Sequence, residues 1–425
     1  MILGTMLTLF ALFLVIGMPM GFAMGLSAVA SLWWQGQVPL IQLPLRFFSG
    51  LDSYALMAVP LFILAGNLMN AGGITARIVD FARALVGHLR GGLAQVNIVT
   101  SMMFSSVNGS AMADTAAVGS MMIPAMKREG YVTRFSVVIT AVSSLIGPVL
   151  PPSIAAIIYG TLTGVSIGRL FLAGIVPGIL VGLSMMVLTW FLASRYGWRP
   201  TPRAPMSEVG HSFLRSAPAL LMPLIIVGGI VSGMFTPTEA GAVAVLYGMI
   251  VAVLSRQMGF VAFLQFTLTS AKLTASALVI IGGAGLFGWV LTREGFGFLI
   301  RDNLLAISTD PVVVMLVILA GLFVIGWFLE GTAAMILTVP IIAPIAIGLG
   351  YDPVQFGVVS ILMLLVGAVT PPVGVVAMLA CRIGNIPFSS TFLLLLPYCA
   401  CVIVVVVAVA FWPPLTTFLP SLLMK

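Results

Sequence analysis

Gly147-Pro148-Val149-Leu150-Pro151-Pro152-Ser153 interrupts an apolar run that otherwise has the length of a membrane helix. A proline inside a helix removes a backbone donor and clashes with the preceding turn, at about 3 kcal/mol. Two adjacent prolines after a glycine therefore break the helix. In hydrocarbon, broken backbone persists only where protein buries it or where it lines a wet cavity. The stretch is either a kink without a ligand or a place where bare carbonyl and amide groups are needed. The same pattern returns at Gly367-Ala368-Val369-Thr370-Pro371-Pro372-Val373, and the duplication favours the second reading.

The surrounding composition sets the class. The 425 residues are 61% hydrophobic and 7% charged, with a mean hydropathy of +1.22, whereas soluble domains carry roughly 25% charged residues. The apolar runs are long and continuous, without the alternation of barrel strands. These features predict an all-α polytopic membrane protein. About 20 residues per span leave room for on the order of a dozen segments, some half-length.

The formal net charge of +7 does not indicate nucleic-acid binding. The basic residues are scattered singly and have few aromatic neighbours, as expected of loops held on the cytoplasmic side. Arg195, Arg199, Arg203 and Arg215 mark the one long polar loop, and Lys127, Arg128 and Arg134 a second basic one. Cys381, Cys399 and Cys401 lie in apolar sequence and read as small buried hydrophobes. The first Arg is Arg46, so no cleavable signal peptide is expected. Ile2 to Trp34, interrupted at Gly17-Met18-Pro19, reads as one kinked span or two short ones, and its lack of positive charge favours an N-terminus outside the cytoplasm.

Pro39 to Asp52 suits an interfacial segment, and Ser53 to Asn70 a span. Ile74 to Arg90 is amphipathic and carries Arg77, Asp80, Arg83, His88 and Arg90, so it lies along the membrane surface or acts as an arm. Gly92 to Phe104 and the run ending at Met126 flank a small uncharged polar stretch, Ser105 to Ser110. That pattern predicts a re-entrant hairpin with its tip at Ser105 to Ser110; two full spans with an ordinary loop are the alternative. The first break follows, then a half-helix from Ile154, a span from Leu170 to Tyr196, and the basic loop from Arg195 to Arg215. Spans are expected at Ser216 to Ser232, Glu239 to Leu254 and Phe260 to Leu291. Gly295 to Ser308, with Arg301 and Asp302, mirrors the first arm. A second hairpin candidate turns at Phe328 to Thr332, and Ser389 to Leu423 is apolar with breaks at Pro397 and Pro413-Pro414.

The halves align by simple offset. Pro371-Pro372 follows Pro151-Pro152 by 220 residues, as Gly350-Tyr351 follows Gly130-Tyr131 and Pro344 follows Pro124. Glu330-Gly331-Thr332 follows Asn108-Gly109-Ser110 by 222. Internal repeats with discontinuous helices at matching positions are the signature of secondary transporters, which bind substrate near the midplane between repeats. A broken helix leaves carbonyls bare at one end and amides at the next. The carbonyl end carries about half a negative charge and suits Na⁺.

Four stretches also carry a resemblance: Pro60-Leu61-Phe62-Ile63-Leu64-Ala65-Gly66-Asn67, Ser110-Ala111-Met112-Ala113-Asp114-Thr115-Ala116, Gly147 to Ser153, and Thr370-Pro371-Pro372-Val373-Gly374. The chain resembles the large membrane subunit of tripartite ATP-independent periplasmic (TRAP) transporters over essentially its whole length. The resemblance implies Na⁺-driven import of an organic acid anion such as a C4-dicarboxylate, sialic acid or another sugar acid. It implies two partners, a periplasmic substrate-binding protein and a small four-helix membrane subunit, the latter expected as a separate chain. It also implies location in the bacterial inner membrane and an elevator built on two inverted repeats. The corresponding division is 1–91 (scaffold spans and arm), 92–165 (hairpin and broken helix of the transport domain), 166–215 (span and basic loop), 216–310 (scaffold spans and second arm), 311–386 (second hairpin and broken helix) and 387–425 (C-terminal spans).

Carried over residue by residue, the resemblance implies a first Na⁺ site at Ser105, Asn108, Gly147, Leu150 and Pro152, mostly through carbonyls. It implies a second at Gly326, Glu330, Gly367, Thr370 and Pro372. Substrate is expected between the tips, near Ser106, Ser110, Asp114, Thr332 and Arg382, where half-helix amides favour a carboxylate. Structural roles stand beside these. Glu330 could cap the next helix or pair with Arg382, although a carboxylate at membrane depth is by default a functional hypothesis. Asp114 could favour the start of its own helix, and Arg382 could extend to the interface. No organic cofactor is expected. An intramembrane enzyme is disfavoured because His88, in the amphipathic arm, and His211, in the polar loop, are not placed to activate a serine near Gly109-Ser110, and a channel because the breaks occur in two unlike halves with no four-fold pore element.

Overall fold

The computed structural model describes residues 2–36, 38–196, 198, 202–255 and 259–424, so Arg199 lies outside the described residues. Among them the chain is helical, with no strand. The first half contains α1 (Ile2–Val15), α2 (Met20–Gln35), α3 (Gln42–Ser49), α4 (Ala58–Ala71), α5 (Ile74–Val86), α6 (Leu93–Asn108), α7 (Ala111–Arg128), α8 (Thr133–Ser143), α9 (Ile154–Thr163) and α10 (Ile167–Tyr196). The second contains α11 (Met206–Val231), α12 (Pro237–Leu254), α13 (Phe260–Arg293), α14 (Phe296–Ile307), α15 (Pro311–Phe328), α16 (Gly331–Gly348), α17 (Pro353–Val369), α18 (Val375–Gly384), α19 (Phe392–Phe411) and α20 (Pro414–Leu423). Among the described residues, eight helices are long and apolar enough to cross a membrane, and six shorter apolar ones accompany them. The chain is a multi-pass membrane protein.

Two groups of contacts organise the packing. α4 lies on α12 and α13, α2 and α3 lie on α13, and α11 joins α5 to α12. Around the breaks, the halves interlock: α9 packs on α16, and α18 packs on α7 and α8. Lipid tails are as apolar as leucine, so close packing rather than water exclusion holds such helices together. Phe104, Phe135, Phe356 and Tyr159 are fully buried here. The Tyr159 hydroxyl donates to the Pro353 carbonyl at 2.8 Å, tying α9 to the start of α17. Gln355 donates to the Val409 and Ala410 carbonyls, both at 2.9 Å, tying α17 to α19.

Four boundaries differ from the sequence expectation. The first tip is narrower than Ser105 to Ser110, because α6 continues through Asn108. The Ser105 hydroxyl donates to the Met102 carbonyl at 2.7 Å, satisfying a polar side chain inside the helix, and Gly109 at φ +61 ends it. Gly367 belongs to α17, which stays helical to Val369. The basic loop ends before α11, which begins at Met206 and already contains His211 and Arg215; Pro205 precedes it and Glu208 in its first turn suits the positive helix end. Pro397 does not break α19; near the helix start it forfeits a single backbone hydrogen bond.

Candidate functional site

The two breaks are built differently. After Ser143 the first helix tightens into a 3-10 turn, Ser144–Ile146. The Ser143 and Ser144 hydroxyls donate to the Thr140 and Ala141 carbonyls, offering the backbone an alternative to the α ladder. Ser153 then bridges the gap. Its hydroxyl donates to the Pro148 carbonyl and accepts from the Ala156 amide at 3.0 Å, capping α9. The second helix stays regular until Thr370, whose hydroxyl donates back to the Val366 carbonyl at 2.6 Å. Gly374 at φ +55 precedes α18 without a side-chain cap. The Pro151-Pro152 and Pro371-Pro372 peptide bonds are both cis.

Each break touches the helix pair expected to face it. A Cβ on Gly109 would strike the Pro152 carbonyl oxygen and sit 3.3 Å from the Ile154 nitrogen. One on Gly147 would lie 3.3 Å from the Ser110 carbonyl carbon. Asn108, Gly147 and Pro152 are thus brought to one locus. Ser105 is buried one turn earlier on α6, with its hydroxyl occupied by Met102. The Leu150 side chain turns away toward Gly178 of α10. On the other side, a Cβ on Gly367 would sit 2.6 Å from the Gly326 Cα and from the Phe323 carbonyl oxygen, so α15 and α17 cross backbone to backbone. The carbonyls of Gly147, Leu150, Pro152, Thr370 and Pro372 accept no hydrogen bond among the described residues. Such bare oxygens can hold a monovalent cation through the backbone alone.

Glu330 is the N-cap of α16. Its carboxylate accepts from the Thr332 and Ala333 amides at 3.0 and 3.3 Å and from the Thr332 hydroxyl at 3.1 Å. It makes no ion pair with Arg382; the one ion pair among the described residues joins Arg83 to Glu129 at 2.7 Å. A small cavity lies between the tips, lined by Ser110, Glu330, Thr332, the α9 start at Ile154 and Ala155, and Val376 of α18. Met112 and Met335 also line it, and about 40 Å³ is left, room for a few waters.

The remaining substrate candidates sit elsewhere. Ser106 is half-buried and does not line this cavity. Asp114 is 1% exposed in the first turn of α7, near Ser101, and neither carboxylate oxygen has a hydrogen-bond partner among the described residues. Arg382 is exposed and borders a separate pocket with Cys381, Asn385 and Phe388. Sequence reasoning missed Ser153 as the bridge of the first break; its N-cap position before an apolar half-helix was the available signal. It also missed Gly66 of α4, where an added Cβ would meet the Asn108 side-chain oxygen at 3.0 Å.

The comparisons with known proteins agree over nearly the full length. The family profile described as tripartite ATP-independent periplasmic transporter, DctM component, matches residues 7–415. The chain is 39% identical to the sialic acid TRAP transporter large permease protein SiaM of Vibrio cholerae, over 96% of this chain and 95% of that one. It is 35% identical to the 2,3-diketo-L-gulonate TRAP transporter large permease protein YiaN of Escherichia coli, with 94% of each chain covered. It is 36% identical to the C4-dicarboxylate TRAP transporter large permease protein DctM of Pseudomonas aeruginosa, again with 94% of each covered. Among solved structures, the Alcanivorax borkumensis YdaH transporter shares the fold, with a TM-score of 0.63 at 15% identity over 87% of this chain and 88% of that one. The relatives are permeases, and the chain is a transport protein rather than an enzyme. It belongs to the family of large permease (DctM) components of tripartite ATP-independent periplasmic transporters.

Proposed function

We propose that this chain is the Na⁺-coupled permease of an organic-acid importer, receiving its substrate from a periplasmic binding protein and working beside a small four-helix membrane subunit in a bacterial inner membrane. The observation that carries the reading is the cavity where Ser110, Thr332 and the starts of α9 and α18 converge. Helix N-termini favour an anion, and the relatives are named for sialic acid, 2,3-diketo-L-gulonate and C4-dicarboxylates, all of them acids. On either side lie bare carbonyls suited to Na⁺, at Gly147, Leu150 and Pro152 and at Thr370 and Pro372. α6–α7 and α15–α16 act as re-entrant hairpins, and with the broken helices α8–α9 and α17–α18 they form a transport domain that slides as an elevator against the remaining spans. The domain division at 91, 165, 215, 310 and 386 follows from this reading, as does the inverted relation of the halves.

The test is uptake into proteoliposomes containing this chain and its small subunit, with the cognate binding protein outside and candidate acids supplied in turn. Accumulation is expected only with an inward Na⁺ gradient. Equal accumulation without Na⁺, or ohmic single-channel currents, would overturn the reading.

A further inference from the structure

Away from the breaks, α5 and α11 enclose a cavity of about 560 Å³ that shares no residue with the central one. Four guanidinium groups line it: Arg77 and Arg83 from α5, Arg203 from the linking stretch, and Arg215 from α11. Arg83 is engaged by Glu129 at 2.7 Å. Arg77, Arg203 and Arg215 form no ion pair among the described residues, although Asp80 and Glu208 border the same space. The opening carries more guanidinium groups than carboxylates, and an anion filling it would balance the excess.

The walls beside it are apolar and exposed. Phe81 of α5 packs against Phe213 of α11 with the rings tilted at 60° and their centroids 5.5 Å apart. Beyond that contact, Leu214, Leu221 and Leu224 form an outward stripe along α11, exposed at 70%, 47% and 68%. Leu214 follows His211 of the cavity wall by three residues on α11, so the apolar face begins beside the basic opening, and the pair matches a molecule with a charged head and a hydrocarbon tail.

We infer that this cavity binds an anionic phospholipid, with the phosphodiester held by Arg77, Arg203 and Arg215 and an acyl chain laid along the Leu214–Leu221–Leu224 face of α11. The site joins the amphipathic α5 to a membrane-crossing helix, so the lipid fixes the arm to the leaflet that carries the basic loop. A zwitterionic phosphatidylcholine presents the same phosphate with a bulky cation attached, which the four arginines repel. Inorganic phosphate lacks the tail that α11 accommodates. The inference does not depend on which anion is transported or on Na⁺ coupling.

The experiment is native mass spectrometry of the full-length chain released from nanodiscs of phosphatidylglycerol or of phosphatidylcholine. One tightly retained phosphatidylglycerol is expected, and no retained phosphatidylcholine. Titration of delipidated protein gives the affinity. Each arginine near an anionic lipid contributes about 1 kcal/mol, roughly fivefold, so the Arg77→Gln/Arg215→Gln variant is expected to bind about thirtyfold more weakly. Arg301→Gln, on α14 and outside the cavity, is the control and is expected to bind like the parent. Three results overturn the inference: equal retention of the two lipids, displacement of phosphatidylglycerol by millimolar inorganic phosphate, or an equal loss in Arg301→Gln. Should the double variant unfold, Leu214→Glu/Leu221→Glu tests the tail contact separately. It is expected to lower retention at least tenfold, and unchanged retention counts against the site.

Discussion

Gly109→Ala tests whether the first tip and the first break are one unit. Gly109 has φ +61 and ends α6. An L-residue in that region costs about 1–2 kcal/mol by itself. The new methyl would also strike the Pro152 carbonyl oxygen and approach the Ile154 nitrogen to 3.3 Å. Both obstacles are backbone and cannot rotate away, so overpacking adds about 1–3 kcal/mol. Gly164 supplies the control: it ends α9 at φ +74 with open space around its Cβ position. Gly164→Ala therefore loses only the conformational part. Unfolding of the full chain in mixed micelles should show Gly109→Ala less stable than Gly164→Ala by about 1–3 kcal/mol. In uptake assays, Gly109→Ala should also raise the Na⁺ concentration for half-maximal rate, because the displaced oxygen is a proposed ligand. Equal stability losses in the two variants would refute the close contact between tip and break.

Glu330→Ala removes the cap of α16 and should cost about 0.5–2 kcal/mol in the same unfolding assay; no loss would mean that the amides of Thr332 and Ala333 find other partners. Tyr159→Phe deletes the hydroxyl that reaches the Pro353 carbonyl and should cost about 1–3 kcal/mol, since the buried carbonyl is left unpaired. Thr370→Val should leave the Na⁺ dependence of uptake within about twofold, well under the 1.4 kcal/mol of a tenfold change, because the hydroxyl points back to Val366 and only the carbonyl is proposed as a ligand. A tenfold rise in the Na⁺ requirement would instead make the hydroxyl a ligand.

The breaks were legible because proline acts locally: no tertiary contact restores the missing donors of Pro151-Pro152 or Pro371-Pro372. The tips were less so. Ser105 to Asn108 look like loop residues by polarity, yet a serine can satisfy its hydroxyl on the carbonyl three residues back and remain in a helix, as Ser105 does with Met102. Charge was misleading in the same way between Arg195 and Arg215, where polar residues belong in part to the first turns of α11. Neither Ser153 reaching the Pro148 carbonyl nor Gly66 meeting Asn108 could be read from spacing, since each depends on how the chain folds around the break. The cross-packing of α9 on α16 and of α18 on α7 was equally hidden, because uniformly apolar sequence leaves no amphipathic stripe to identify a partner.

That cross-packing bears on how the protein moves. The central cavity leaves about 40 Å³, whereas small-molecule sites are typically about 300–1,000 Å³. If the tips opened by swinging away from the broken helices, the α9–α16 and α7–α18 contacts would have to separate, along with the backbone crossings at Gly109 and Gly367. A cheaper route keeps these helices together. Met112 and Met335 line the cavity, and unbranched thioether side chains change rotamer readily, so their rotation could enlarge the site while the helices stay packed. Under the proposed elevator, access comes from displacement of the whole assembly against its surroundings, at contacts such as Asn108 on Gly66. A cysteine pair cross-linking α9 to α16, placed in a background without Cys381, Cys399 and Cys401, separates the two routes. Movement as one body predicts that oxidised protein transports within about twofold of the reduced form, under the 1.4 kcal/mol of a tenfold change. Loss of uptake on oxidation, restored by reduction, would show that the two halves part during the cycle.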